Sequence, residues 1–154
     1  MAIQFLDGDI FSTKGLNAYA HGCNCAGAMG KGIAVSFKER WQKMYLEYRN
    51  QCLEGEFKVG DVFVWEEDGN IVFNLGTQKT WRTKATLEAI RSSVLEMLQI
   101  AERKSIKAIA MPRVGAGLGG LNWDEVKNIL EELASSSSVD LIVCENFKQG
   151  VAMF

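Results

Sequence analysis

The only histidine of the chain, His21, sits in the string HGCNC, with Asn24 three places on and thiols at Cys23 and Cys25. An imidazole titrates near neutral pH and can act as general acid or base in cleaving a phosphate monoester or a glycosidic bond. A neighbouring amide such as Asn24 can orient the reacting group or a water. Neither thiol has an evident base beside it, so both read as small buried hydrophobes rather than nucleophiles. Two glycine clusters supply a different chemistry: MGKGIA at residues 29–34 and VGAGLGG at 114–120, each just ahead of a helical pattern. Glycine costs backbone entropy, and it lets a loop fold its N–H groups into a concave nest that an anion can touch directly. A helix N-terminus adds further unpaired N–H groups and the positive end of its dipole. Two such loops can close on a diphosphate from opposite sides without extra Lys or Arg. Neither is a Walker loop or the Rossmann G-x-G-x-x-G fingerprint.

The elements that must position these groups follow from apolar periodicity. AIQFL reads as a strand stopped by Asp7-Gly8-Asp9, and Asn17–His21 as a second strand running into GCNCAGAMGKG. A helical pattern runs from Ile33 through Cys52, with a break near Trp41. Asp61–Trp65 and Ile71–Leu75 flank the turn signal EEDGN and predict a hairpin. Thr83–Arg103 is the clearest helix, with Leu87, Ile90, Val94, Leu98 and Ala101 on one face. Ala108–Met111 is a short buried strand. Asn122 caps a helix with Glu125 at the reciprocal position and Val126, Ile129, Leu130 and Leu133 as its stripe. Val139–Val143 is a final strand, and ENFKQGVAMF reads as irregular or a short edge element. The pattern predicts one α/β domain over residues 1–154, a three-layer α/β/α sandwich with a mixed central sheet. In open sheets of this kind ligands bind beyond the carboxyl ends of the strands, where both glycine clusters fall.

Composition bounds the function. A net charge of −2 over 154 residues argues against a general nucleic-acid surface. Four cysteines without zinc-like spacing (Cys23, Cys25, Cys52, Cys144) read as reduced thiols. One histidine rules out a histidine-rich metal site, and neither a metal nor a cofactor is expected. MAIQFLDGD has no basic or apolar leader pattern, and no run approaches the ~20 apolar residues of a membrane span. A monomeric, cytoplasmic protein is expected.

Three stretches together, Gly8-Asp9-Ile10, NCAGAMGKGIA and MPRVGAGLGGLNW, resemble the macrodomains, modules that bind ADP-ribose and often process its derivatives. HGCNC followed by GIA is similar to the yeast-type ADP-ribose-1''-phosphate phosphatases. KVGDVFVWEEDGNIVFNLGTQKTWR is similar to the DNA ADP-ribosyl glycohydrolase antitoxins, and the terminal ADP-ribose protein glycohydrolases lie in the same branch. The resemblance implies that Asp9 accepts from the adenine amino group and that the Ile10 N–H meets a ring nitrogen. Asn24 would bind the distal ribose hydroxyls. Gly30, Lys31, Gly32 and Ile33 would wall one side of the diphosphate, and Val114, Gly115, Ala116, Gly117, Leu118 and Gly119 the other. Phe147 would flank the adenine. The implied ligand is ADP-ribose, free or carried on a protein, a DNA base or a metabolite, and the implied activity is hydrolysis at the distal ribose, or else reading without catalysis. Two positions depart from the glycohydrolases: where they carry a reactive lysine this chain has Gln78, with Lys79 one place later, and their acidic residue is replaced by Gly119. Lys79 can substitute only if the strand ends or bulges before it, because a one-residue step turns the side chain to the other face. With His21 and Asn24 it completes the candidate catalytic set.

Overall fold

The computed structural model describes residues 3–154; Met1 and Ala2, which belong to the segments read above as a first strand and as lacking a leader, lie outside the described residues. The strands are β1 (Ile3–Gly8), β2 (Ala18–Asn24), β3 (Val62–Glu67), β4 (Asn70–Gln78), β5 (Ala108–Met111) and β6 (Asp140–Phe147). The helices are α1 (Ala34–Arg40), α2 (Gln42–Leu53), α3 (Leu87–Arg103) and α4 (Trp123–Ser135). One sheet holds all six strands in the order β1-β6-β5-β2-β4-β3. Every pairing is parallel except the β3–β4 hairpin at one edge.

Alternation along the strands divides the core in two. Ala18, Ala20, Phe73, Leu75, Ile109, Met111, Leu141 and Val143 face α3 and α4, meeting the predicted stripes of Ile90, Val94, Leu98, Val126 and Leu130. Tyr19, Cys23, Val72, Ala110, Ile142 and Cys144 face the other way, onto Phe37, Trp41, Met44 and Tyr48 of the α1–α2 layer. Two separate cores against one sheet make the three-layer sandwich, and each fully buried aliphatic side chain contributes ~1.5–3 kcal/mol. Trp41 breaks the first helical run as predicted, at φ −129° and ψ 72°.

The strands overrun their predicted ends. β2 continues to Asn24 and β4 to Gln78, through small and polar residues that carry no hydrophobic signal. β6 runs on through Cys144 and takes in Glu145–Phe147, the start of the segment read as irregular or an edge element, and it lies inside the sheet between β1 and β5. These extensions carry the chain into the site.

Candidate ligand-binding and active site

A cavity of about 1390 Å³ runs along the carboxyl ends of the strands. Its lining begins at Asp9 and Ile10, after β1. It passes Glu145 and Phe147 of β6, the loop after β5 and Asn24 of β2, and ends at Gln78, the last residue of β4, with Trp81 and Arg82 just beyond. Four interstrand steps of ~4.8 Å give it a length of roughly 19 Å. Every residue that the resemblance places against the ligand lines this cavity, as does Asn24.

The first loop is built around the Asn24 amide. Its Oδ1 accepts from the Ala26 N–H (3.0 Å) and the Ala28 N–H (3.2 Å), and its Nδ2 donates to the Ala28 carbonyl (2.8 Å). The Tyr48 hydroxyl donates to the Asn24 carbonyl at 2.7 Å and anchors the turn to α2. Asn24 thus shapes the loop and keeps one amide proton for a ligand. Beyond it, the N–H groups of residues 29–33 donate to no protein acceptor among the described residues, and a Cβ on Gly30 would meet nothing within 4 Å. α1 has only seven residues, so the anion-binding character rests on the loop's own peptide groups more than on a helix dipole.

The second loop turns back on itself through the Leu121 N–H to Gly115 carbonyl bond (2.9 Å). The N–H groups of Gly115, Gly117, Leu118 and Gly119 have no protein acceptor among the described residues. Gly117, like Gly30, has open space where a Cβ would stand, and the Leu118 side chain comes within 3.5 Å of the Cβ position of Gly32, so the two loops meet across the cleft. Gly119 is different. A Cβ there would lie 2.6 Å from the Gly115 carbonyl oxygen and 3.0 Å from the Ala85 Cβ. This loop conformation excludes any side chain at 119, an acidic one included. α4 begins four residues later with its own cap, the Asn122 side chain accepting from the Glu125 N–H.

At the other end, Asp9 accepts from the N–H groups of Phe11 (2.9 Å) and Gly150 (3.0 Å) and from the Ser12 hydroxyl (3.1 Å). Its carboxylate pins a one-turn 3-10 helix, Ile10–Ser12, to the C-terminal segment. The Met153 N–H donates to Thr13 Oγ1 and the Lys148 N–H to the Gly8 carbonyl, completing that clasp. The Ile10 N–H stays without a protein acceptor among the described residues.

Two expected catalytic residues are not at the cavity. His21 is completely buried on the α1–α2 side of β2, its ring stacked on Phe37 with centroids 3.8 Å apart. Asn74 donates to the Phe63 carbonyl, which leaves its Oδ1 to accept from His21 Nε2 at 2.7 Å. Burial pushes the imidazole down to about 4. A neutral, enclosed ring cannot exchange protons with a ligand, so His21 is a core residue. Lys79 follows the last residue of β4 and is exposed away from the cavity; Gln78, almost fully buried, takes the lining position. The β2–β4 register does shift just before it, from Cys23 opposite Gly76 to Asn24 opposite Gln78, but the shift brings Gln78 and not the lysine to the cavity. Against the expectation of no base beside either thiol, His21 Nε2 lies 3.4 Å from Cys23 Sγ, but that nitrogen donates to Asn74. Burial pushes Cys23 well above its ordinary range and Cys25 up to about 12, which suits neither as a nucleophile.

Sequence reasoning missed Tyr48, Gln78, Trp81 and Arg82 as parts of the site. Tyr48 gave no signal, because its helical spacing is that of any core residue. The basic-aromatic run KTWRTK at 79–84 was a signal, set directly after a strand.

Two glycine-rich loops, with unpartnered peptide N–H groups facing each other across the carboxyl edge of a mainly parallel sheet, give this α/β sandwich a cleft that can hold an anion such as a diphosphate. Residues 20–130 match the Macro domain, and the chain belongs to that family. It is 33% identical over 132 residues to a DNA ADP-ribosyl glycohydrolase of Mycobacterium tuberculosis, covering 83% of this chain and 37% of that relative. It is 30% identical over 141 residues to the ADP-ribose glycohydrolase OARD1 of Bos taurus, covering 92% of this chain and 90% of that protein. The macrodomain of Thermus aquaticus DarG superposes with a TM-score of 0.84 at 29% identity, over 93% of this chain and 97% of that one.

Proposed function

We propose that this chain binds ADP-ribose and hydrolyses a derivative of it at C1'' of the distal ribose. The observation that carries the reading is the row of unpartnered peptide N–H groups in two facing loops, midway along a cleft long enough for a nucleoside at one end and a second ribose at the other. The adenosine lies toward Asp9, Ile10 and Phe147, and the distal ribose toward Asn24, Thr77 and Gln78. The relatives named for glycohydrolase activity support the same assignment.

The chemistry rests on positioning and fixed donors. The cavity's carboxylates, Asp9 just after β1 and Glu145 of β6, lie at the end away from Gln78. No lysine stands at the Gln78 position, so no covalent lysine adduct forms there. A water, held against the ligand's diphosphate by the neutral groups of the β4 end, attacks C1''. Its oxygen bonds to that carbon, the bond to the departing group breaks with its electron pair, and the surplus proton passes through the diphosphate to the leaving group. The absence of a carboxylate at that end also favours a second reading, a module that holds ADP-ribose without turnover.

The deciding experiment offers ADP-ribosylated DNA, ADP-ribosylated protein and ADP-ribose-1''-phosphate to the protein and follows loss of the carried group, alongside calorimetry with ADP-ribose. Turnover of any one supports the hydrolase; binding without turnover leaves the reader; absence of heat at millimolar ADP-ribose ends both. Asn24→Ala strands the Ala26 and Ala28 N–H groups and the Ala28 carbonyl. It is expected to weaken ADP-ribose binding at least tenfold, in line with ~1–3 kcal/mol per unsatisfied group, as well as to lower turnover. Unchanged affinity in that variant would remove the loop from the site.

A further inference from the structure

Glu145 stands on a defect in the sheet. β1 and β6 pair residue for residue as far as Leu6 opposite Cys144, and the pairing resumes at Asp7 opposite Asn146. Glu145 is therefore the extra residue of a bulge. It also lies past Val143, the last residue of β6 paired with β5. A bulge leaves its residue out of the ladder and re-aims the side chain. Here it brings a carboxylate to the cavity wall.

Only one oxygen of that carboxylate is occupied. Oε2 accepts from the Trp123 indole N–H at 2.9 Å and from Lys127 Nζ at 2.8 Å, both on α4. These tethers are themselves held in place: Lys127 Nζ sits 4.3 Å from the Phe5 ring centre, and Trp123 packs edge-on against the same ring. Oε1 accepts from no group among the described residues, and the side chain keeps 27% of its surface exposed. Hydrogen bonds from Lys127 and Trp123, with the Arg113 charge adding to them, hold Glu145 below the ordinary carboxylate range, so it is ionised at neutral pH. A bare carboxylate oxygen in a cleft for an anionic ligand is unfavourable unless the ligand brings a donor to it.

Strand order indicates which donor. On the proposed placement Asp9, just after β1, meets the adenine, and the loops after β5 and β2 meet the diphosphate. β6 lies between β1 and β5. Glu145 thus stands between base and phosphates, where an adenosine carries its ribose, whose donors are the 2'- and 3'-hydroxyls. Dinucleotide-binding sheets use an acidic side chain for the ribose 2'-hydroxyl in the same way, and an arginine where a 2'-phosphate must be accommodated.

We infer that Glu145 is a specificity residue: its open oxygen accepts from the 2'-hydroxyl of the adenosine ribose, and its charge refuses a ligand phosphorylated there. This rests on the ADP-ribose reading of the cleft and adds which ADP-ribose units qualify, those whose adenosine 2'-oxygen is unsubstituted. It holds whether or not the ligand is turned over.

The test is calorimetry with three ligands: ADP-ribose, its analogue lacking the adenosine 2'-hydroxyl, and ADP-ribose phosphorylated at that oxygen. The wild type is expected to bind ADP-ribose about tenfold more tightly than the deoxy analogue, the loss of one charge-assisted hydrogen bond. Against the 2'-phosphate, where repulsion joins that loss, the margin should be about a hundredfold. Glu145→Gln keeps an oxygen for Lys127 and Trp123 but carries no charge, and should cut the phosphate margin about tenfold. A Glu145 that only ties α4 to β6 would behave differently: the variant would weaken all three ligands alike and leave the margins unchanged. That result overturns the inference, and so do equal affinities of the wild type for the three ligands, a comparison that needs no variant. In both cases the ADP-ribose reading stands. Absence of heat with every ligand ends that reading and the inference with it.

Discussion

At the scale of single residues, the most informative is the one that left the site. His21 is held neutral by burial, against Phe37 and with its Nε2 proton on Asn74. Its folded value of about 4 lies below the ordinary 6.5, so between these limits the unfolded chain binds more protons than the folded one. Stability therefore rises with pH through that window, is fully present above 6.5 and is lost as pH falls toward 4. The contribution is on the order of 3 kcal/mol. Glu132 and Glu145 are held below the ordinary carboxylate range by hydrogen bonds from Arg91 and Lys127. Urea unfolding of the wild type is expected to show this loss from pH 7 to pH 4. His21→Gln, which can still donate to Asn74, should start less stable at pH 7 but fall less steeply. Identical slopes would mean another group titrates. The same geometry predicts a turnover profile with no His21 inflection near pH 6.5.

At the scale of elements, the loops divide their glycines between two tasks. Gly30 and Gly117 have negative or extended φ and open space at the Cβ position, whereas a Cβ on Gly119 collides with the Gly115 carbonyl of its own loop. Gly30→Ala and Gly117→Ala should leave melting temperature unchanged or slightly raised, since alanine reduces the freedom of the unfolded chain by ~0.4–1 kcal/mol. Both should cost tenfold or more in ADP-ribose affinity, because the new methyl group would stand in the open space where the proposed diphosphate is placed. Gly119→Ala should lower stability and affinity together. Unchanged affinity in both open-site variants would show that the ligand does not touch these loops. Much of this was legible beforehand: the glycine clusters, the stripes of α3 and α4, and the break at Trp41 are local patterns that alanine-scale chemistry enforces. The ends of β2, β4 and β6 were not. Strand pairing there is imposed by parallel neighbours distant in sequence, such as Asn24 opposite Gln78 and Phe147 opposite Gly8. That same extension aims Gln78 into the cavity and Lys79 away from it. His21 was misread because no local pattern reveals that Phe37 and Asn74 close over it.

At the scale of the whole molecule, the cleft is a single span rather than two neighbouring pockets. Its far ends are fixed by different devices: the C-terminal segment clasped to Asp9 through Gly150, and the turn after β4 strapped by Gln78. The sheet between them sets their separation at roughly 19 Å. A ligand that reaches both ends gains from each while losing its rigid-body freedom once, which is the advantage of linkage. ADP-ribose at a hundred times its Kd should therefore stabilise the fold by ~2.7 kcal/mol, a rise in Tm of about 5–10 °C for a domain of this size. On the proposed placement, AMP would engage the Asp9 end and one phosphate site, and ribose 5-phosphate the Gln78 end and the other. Either alone, or both together at the same concentrations, should give a small fraction of that shift, with AMP binding at least a hundredfold more weakly than ADP-ribose. Thermal melts and calorimetry read both quantities. An AMP shift equal to that of ADP-ribose would mean that the β4 half of the cleft contributes no binding, and the strapped turn, the neutral amides and the second loop would then have to be explained by some other partner.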